Sequence, residues 1–189
     1  MASARPCGDD ARVAAGIERL LNRLARAPKD VARTIGDAPA AALARRPEPQ
    51  SWSPTEILCH LRDVEELFQL RFHTILAVDE PPILAFGAAP GDLKSWRIGG
   101  AIGHPLDPDR WAAERQYIRN DAREAFAAWR RRRGEVLTLL SALPPIDWLR
   151  GGVHPTRGRR TLVEWVTSLA GHDDNHLDQL QSACVSMTF

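Results

Sequence analysis

Apolar residues recur at the three-and-four spacing of an amphipathic helix in four stretches of the chain. The first is Val13, Ile17, Leu20, Leu21 and Leu24, with Arg12, Glu18, Arg19, Asn22 and Arg23 between them, which predicts a helix over 11–24. A second begins at Ser53-Pro54-Thr55-Glu56: serine as N-cap, proline at the first helical position, and glutamate three after the cap to close a capping box. It should run to about Val78 and turn Ile57, Leu61, Val64, Phe68 and Ile75 inward. Asp121 with Glu124 starts the third, which buries Ala122, Ala125, Phe126, Trp129, Val136, Leu137, Leu140 and Leu143 and stops at Pro144-Pro145. Thr161 and Glu164 form another capping box, and Leu162, Trp165, Val166, Leu169, Leu177 and Leu180 line a fourth helix to about Ala183. No strand pattern of comparable length is present.

The connectors are unequal. Residues 29–50 are rich in Ala, Pro and Arg, and Pro39, Pro47 and Pro49 allow only a short helix. Between Asp79 and Asn120, prolines and glycines break every period until a short helix over 110–117, the composition of a lid or binding loop. These elements predict an all-α fold, an antiparallel four-helix bundle with a long helix 2 to helix 3 connection; an irregular orthogonal packing is the alternative.

Length and composition narrow the class. A chain of 189 residues with 44% hydrophobic residues supports one domain over 1–189 with a sizeable core. Cys7, Cys59 and Cys184 are odd in number and form no Cys-x-x-Cys pair, which fits a reducing cytoplasm. A net charge of +1 disfavours nucleic-acid partners, and no apolar stretch is long enough to span a membrane.

The histidines carry the chemistry. His172 and His176 are one turn apart, and at ~100° per residue both fall within the stripe of Trp165, Leu169 and Leu180. His60, on the second helix, lies at the edge of its apolar face. Three inward imidazoles supply three nitrogen ligands and leave coordination positions open, the pattern of a catalytic metal. The residue after His172 is Asp173, so the H-E-x-x-H metalloprotease pattern is missing its general base. No Glu-x-x-His motif supports a di-metal site, and a mononuclear site is expected.

Asp173 falls inside the apolar arc and has three readings: orienting a ligand imidazole, capping a backbone group, or pairing with a buried arginine. Arg133, alone in its arginine run, faces the core, as partner of Asp173, Glu65 or another carboxylate or as anchor of an anionic substrate or thiol cofactor. Arg71 is a weaker inward candidate. Asp63 belongs at the solvent margin, with support of His60 as its functional alternative. His73 faces outward, His104 and His154 belong in loops, and Cys59 reads as a packed thiol.

Trp52-Ser53-Pro54-Thr55-Glu56-Ile57-Leu58-x-His60-Leu61-x-Asp63 and Gly158-x-x-Thr161-Leu162-x-Glu164-x(7)-His172-Asp173-x-x-His176-Leu177-x-Gln179-Leu180 resemble the two signature regions of the DinB/YfiT-like superfamily. The likeness is strongest over 52–181. It implies a four-helix bundle, often a homodimer, whose triad, here His60, His172 and His176, binds a divalent metal such as zinc or nickel. Relatives include bacillithiol S-transferases and the mycothiol-dependent maleylpyruvate isomerase. The expectation is a metal-dependent enzyme of S-transferase-like or hydrolase-like chemistry on a small electrophile, using a low-molecular-weight thiol in the former case, with Asp173, Arg133 and Asp63 near its metal. A non-catalytic metal-binding or ligand-binding stress protein is the alternative. The catalytic acid and base are unassigned.

Overall fold

Helix starts are where the sequence commits itself most strongly, and in the computed structural model, which describes residues 7–83, 107–155 and 157–185, they form as the side chains dictate. Helix α1 (Cys7–Ile35) and the one-turn α2 (Ala40–Leu43) precede α3 (Pro54–Ala77). At the start of α3 the Ser53 hydroxyl accepts from the Glu56 amide and the Glu56 carboxylate accepts from the Ser53 amide, a closed capping box. Helix α4 (Pro108–Glu114) and a 3-10 turn (Tyr117–Arg119) lead into α5 (Ala122–Ser141), capped by Asp121, whose carboxylate accepts from the Glu124 amide. A short hairpin, β1 (Gly151–His154) and β2 (Gly158–Thr161), precedes α6 (Leu162–Val185). Thr161 and Glu164 close the second capping box there.

The four long helices α1, α3, α5 and α6 make a four-helix bundle, with α3 against α5 and α6, and α1 against α6 and α5. Two apolar clusters fill it. One gathers Leu24, Phe68, Phe72, Val136, Trp148 and Trp165; the other gathers Val31, Ile57, Leu61, Tyr117, Trp129 and Leu180. Buried polar side chains also sit on the core helices: His60 and Glu65 on α3, Arg133 on α5 and Asp173 on α6.

Several expectations change. Helix α1 extends eleven residues past Leu24, through Pro28. A proline at that position cannot donate to the carbonyl one turn back. That carbonyl, on Leu24, instead accepts from Arg133 Nη1 at 3.0 Å, so the bundle supplies the donor the proline lacks. Val13, expected inward, is half exposed because it lies toward the free end of α1.

The hairpin was not anticipated, because strands of four residues are too short to establish a period. Its register pairs Gly151 with Thr161 and His154 with Gly158. Val153 also donates to Pro81 O at 2.8 Å and accepts from the Ile83 amide at 3.0 Å, which ties the chain leaving α3 to β1. Only glycine fits at 152, where a Cβ would come within 2.4 Å of Ile83. His154, expected in a loop, is buried on β1 and stacks on Trp165 with ring centroids 5.7 Å apart. Residues 84–106 of the expected lid, with Trp96 and His104, lie outside the described residues; of the rest, 81–83 pair with β1 and 107–120 hold α4 and the 3-10 turn.

Candidate metal centre

Helical phase brings His60 of α3 against His172 and His176 of α6. Ring centroids lie 5.0 Å apart for His60 and His172, 4.6 Å for His60 and His176, and 4.4 Å for the pair on α6. One ligand nitrogen from each falls within 4.8 Å of the others. His60 is buried, whereas His172 and His176 are partly exposed, so the cluster has a closed side and an open one.

The hydrogen bonds say which nitrogens converge. His60 Nε2 and His172 Nε2 are 3.0 Å apart. On His176, Nδ1 lies 2.8 Å from Gln179 Oε1; since an amide oxygen only accepts, Nδ1 carries the proton and Nε2 keeps its lone pair. Burial, and then the adjacent imidazoles, push His60 down to about 2, while burial and His172 lower His176 to about 4. Neutral imidazole is the form that ligates.

These residues fit a divalent ion. Two ligands on one tetrahedral zinc, each at ~2.0–2.1 Å, are separated by about 3.3 Å, close to the His60–His172 spacing. Three imidazole nitrogens also suit nickel.

Trp52 forms one wall, parallel to His176 at 6.3 Å and edge-on to His60 at 4.9 Å. A cavity of about 350 Å³ opens beside it, lined by His176, Gln179, Gln50, Ser51, Pro108 and Asp109. Through Gln50, Trp52 and Asp109 it adjoins a second, of about 470 Å³, that reaches Arg46 and Arg119.

A sequence profile of the DinB superfamily matches residues 23–180. The chain belongs to the DinB superfamily. Among solved structures it is similar to YfiT from Bacillus subtilis, described as a probable metal-dependent hydrolase with an unusual four-helix bundle topology. The TM-score is 0.73 at 18% identity, covering 92% of this chain and 88% of that one, a likeness of fold. No curated protein matches the chain.

The remaining candidates of this superfamily member fall into two networks. Arg133 is 1% exposed and sits between two carboxylates: Nε and Nη2 donate to Glu65 at 2.8 and 2.5 Å, and Nη1 lies 2.7 Å from Asp173 Oδ2. The guanidinium is enclosed by the core, and the substrate-anchoring alternative has no open face to use. Asp173, also buried, lies beside His172, with Oδ1 3.9 Å from the imidazole Nδ1.

Asp63 corrects the expectation of a solvent-margin residue. It is 4% exposed and accepts from Arg62 Nε at 2.7 Å, Arg115 Nη1 at 2.5 Å and Tyr117 Oη at 2.7 Å. Burial alone would raise its pKa, but these three donors outweigh burial and hold it below the usual carboxylate range. It joins α3 to the segment that precedes α5. Arg71 is buried against Phe68 and Trp165, and His73 is exposed. Cys59 is a buried thiol, pushed up to about 11 by burial and then by Asp63 and Glu56, against the opposing pull of Arg62.

Helical phase alone missed Trp52 and Gln179. Trp52 precedes the N-cap of α3, outside any helical period, and Gln179 stands on the exposed side of α6. The i, i+3 spacing of Gln179 from His176 is the signal that finds the latter.

Proposed function

We propose that this protein is a divalent-metal-dependent enzyme that transfers or hydrolyses a small electrophilic substrate, with His60, His172 and His176 as the ligands of a zinc or nickel ion. The observation that carries the reading is the convergence of three imidazoles from two helices with one side open, two of them, His60 and His176, held neutral by burial. Membership of the DinB superfamily supports it, as does the likeness of fold to a probable metal-dependent hydrolase.

When bound, a divalent ion in a three-histidine site supplies Lewis acidity and acidifies a water or thiol placed in its open positions. The chain's own residues do the rest. His60 holds the closed side. The Gln179 amide keeps the His176 proton on Nδ1. Trp52 shields the edge of the triad and offers a flat apolar wall to a bound molecule. The adjoining cavities are of the size small-molecule sites have. A low-molecular-weight thiol is the nucleophile in the S-transferase version of this reaction, and water in the hydrolase version.

The test uses protein stripped of metal and then restored with zinc or nickel, assayed against ester and amide substrates and against electrophiles offered with a low-molecular-weight thiol. Turnover that appears on restoration and is absent in His172→Ala is the expected result. Equal turnover by the stripped protein contradicts metal dependence; restored protein inert in both assays favours the non-catalytic metal-binding reading.

A further inference from the structure

Beneath the triad lie complementary polar atoms that have not found each other. His172 Nδ1 and both oxygens of Asp173 are buried, and none makes a hydrogen bond among the described residues. Asp173 Oδ1 is nevertheless only 3.9 Å from that Nδ1, too long for a hydrogen bond and short enough for a small side-chain rotation to close. On its other side Asp173 Oδ2 forms an ion pair with Arg133 Nη1 at 2.7 Å, and the same nitrogen donates to the Leu24 carbonyl. Leaving a buried donor and a buried acceptor unmatched is costly, so a second state in which they meet is favoured once something fixes the proton on Nδ1.

The charge arrangement points the same way. Two carboxylates share one guanidinium. Glu65 takes it in two-pronged fashion through Nε and Nη2, and Asp173 meets it through Nη1 alone. Asp173 is thus the less completely paired anion, and it adjoins three imidazoles, a ligand set that brings no negative charge to a dication.

We propose that Asp173 is the positioning residue of the metal centre: it accepts the Nδ1 proton of His172, fixing Nε2 as the ligand atom, and supplies the negative charge the imidazoles lack. Arg133 and Glu65 hold its carboxylate in place, and Pro28 contributes indirectly by freeing the Leu24 carbonyl that steadies Arg133. The inference rests on the reading of the triad as a metal site. It also separates two ligand supports of different character, a neutral amide for His176 and an anion for His172.

Two measurements on the full chain test it. In the first, zinc affinity is read by competition with a chelating indicator for the wild type, for the isosteric Asp173→Asn, and for Asp174→Asn. Asp174 carries the same charge one residue further on but is exposed and paired with Arg23. Asp173→Asn should bind zinc about 10- to 100-fold more weakly, with Asp174→Asn within about two-fold of the wild type. In the second, long-range proton–nitrogen NMR of the zinc-loaded wild type reads the His172 tautomer, which should carry its proton on Nδ1; this needs no variant to fold. Equal affinity in Asp173→Asn, or zinc on Nδ1 of His172, overturns the proposal and leaves the metal site standing. A wild-type protein that takes up no zinc overturns both.

Discussion

His60 Nε2 and His172 Nε2 face each other at 3.0 Å across the seam between α3 and α6. At this distance one nitrogen donates and the other accepts, and the spacing is close to that of two ligands on one tetrahedral ion.

The same burial makes the metal-free protein acid-sensitive. His60 is pushed down to about 2 and His176 to about 4, whereas in the unfolded chain both titrate near ~6.5. As pH falls the unfolded state takes up protons first, so stability present above ~6.5 is lost progressively below it. His154, lowered by burial and then by Arg157, Arg160 and Arg71, adds to the loss. The melting temperature of metal-free protein should fall from pH 7 to pH 4.5, and His60→Asn should flatten that slope. An unchanged slope in the variant contradicts a neutral, buried His60.

Arg133 holds two carboxylates in the core, and its removal leaves both unpaired. Arg133→Met should destabilise the fold by about 3–5 kcal/mol in urea unfolding. Replacing the set together, as Glu65→Leu, Arg133→Met and Asp173→Leu, should recover most of that loss, because no buried charge then remains. A cost below about 1 kcal/mol for Arg133→Met is the outcome that contradicts this description of the core.

Tyr117 contributes one of three donors to Asp63. Tyr117→Phe should cost about 1–2 kcal/mol, toward the lower end for a hydrogen bond to a charged group, because Arg62 and Arg115 remain. Metal content should not change, since this network joins α3 to the segment before α5. Loss of metal in Tyr117→Phe would place Asp63 in the metal centre after all.

What the sequence disclosed, and what it withheld, follows from the range of each interaction. Ser53, Asp121 and Thr161 announced their helices because capping is settled within four residues. His172 and His176 could be placed together from phase alone, and the inward turn of His60 and Arg133 was equally legible. Asp63 was misplaced because phase on α3 says nothing of Arg115 and Tyr117, which arrive from beyond a long connection. Helix α1 was expected to end at Leu24 because the apolar period stops there and an Ala-, Pro- and Arg-rich stretch follows, whereas the helix continues through Pro28 and the donor to the freed Leu24 carbonyl stands more than a hundred residues away. The hairpin escaped notice because its stability lies in pairing with residues 81–83 and in the absence of a side chain at Gly152.

The central claim is that three histidines hold one ion, and elemental analysis of the purified protein after dialysis against zinc or nickel tests it most directly. The account predicts about one metal per chain in the wild type and substantial loss in His60→Ala, His172→Ala and His176→Ala, each checked by circular dichroism to retain its helices. Metal content that is unchanged in all three variants, or absent from the wild type, would contradict it.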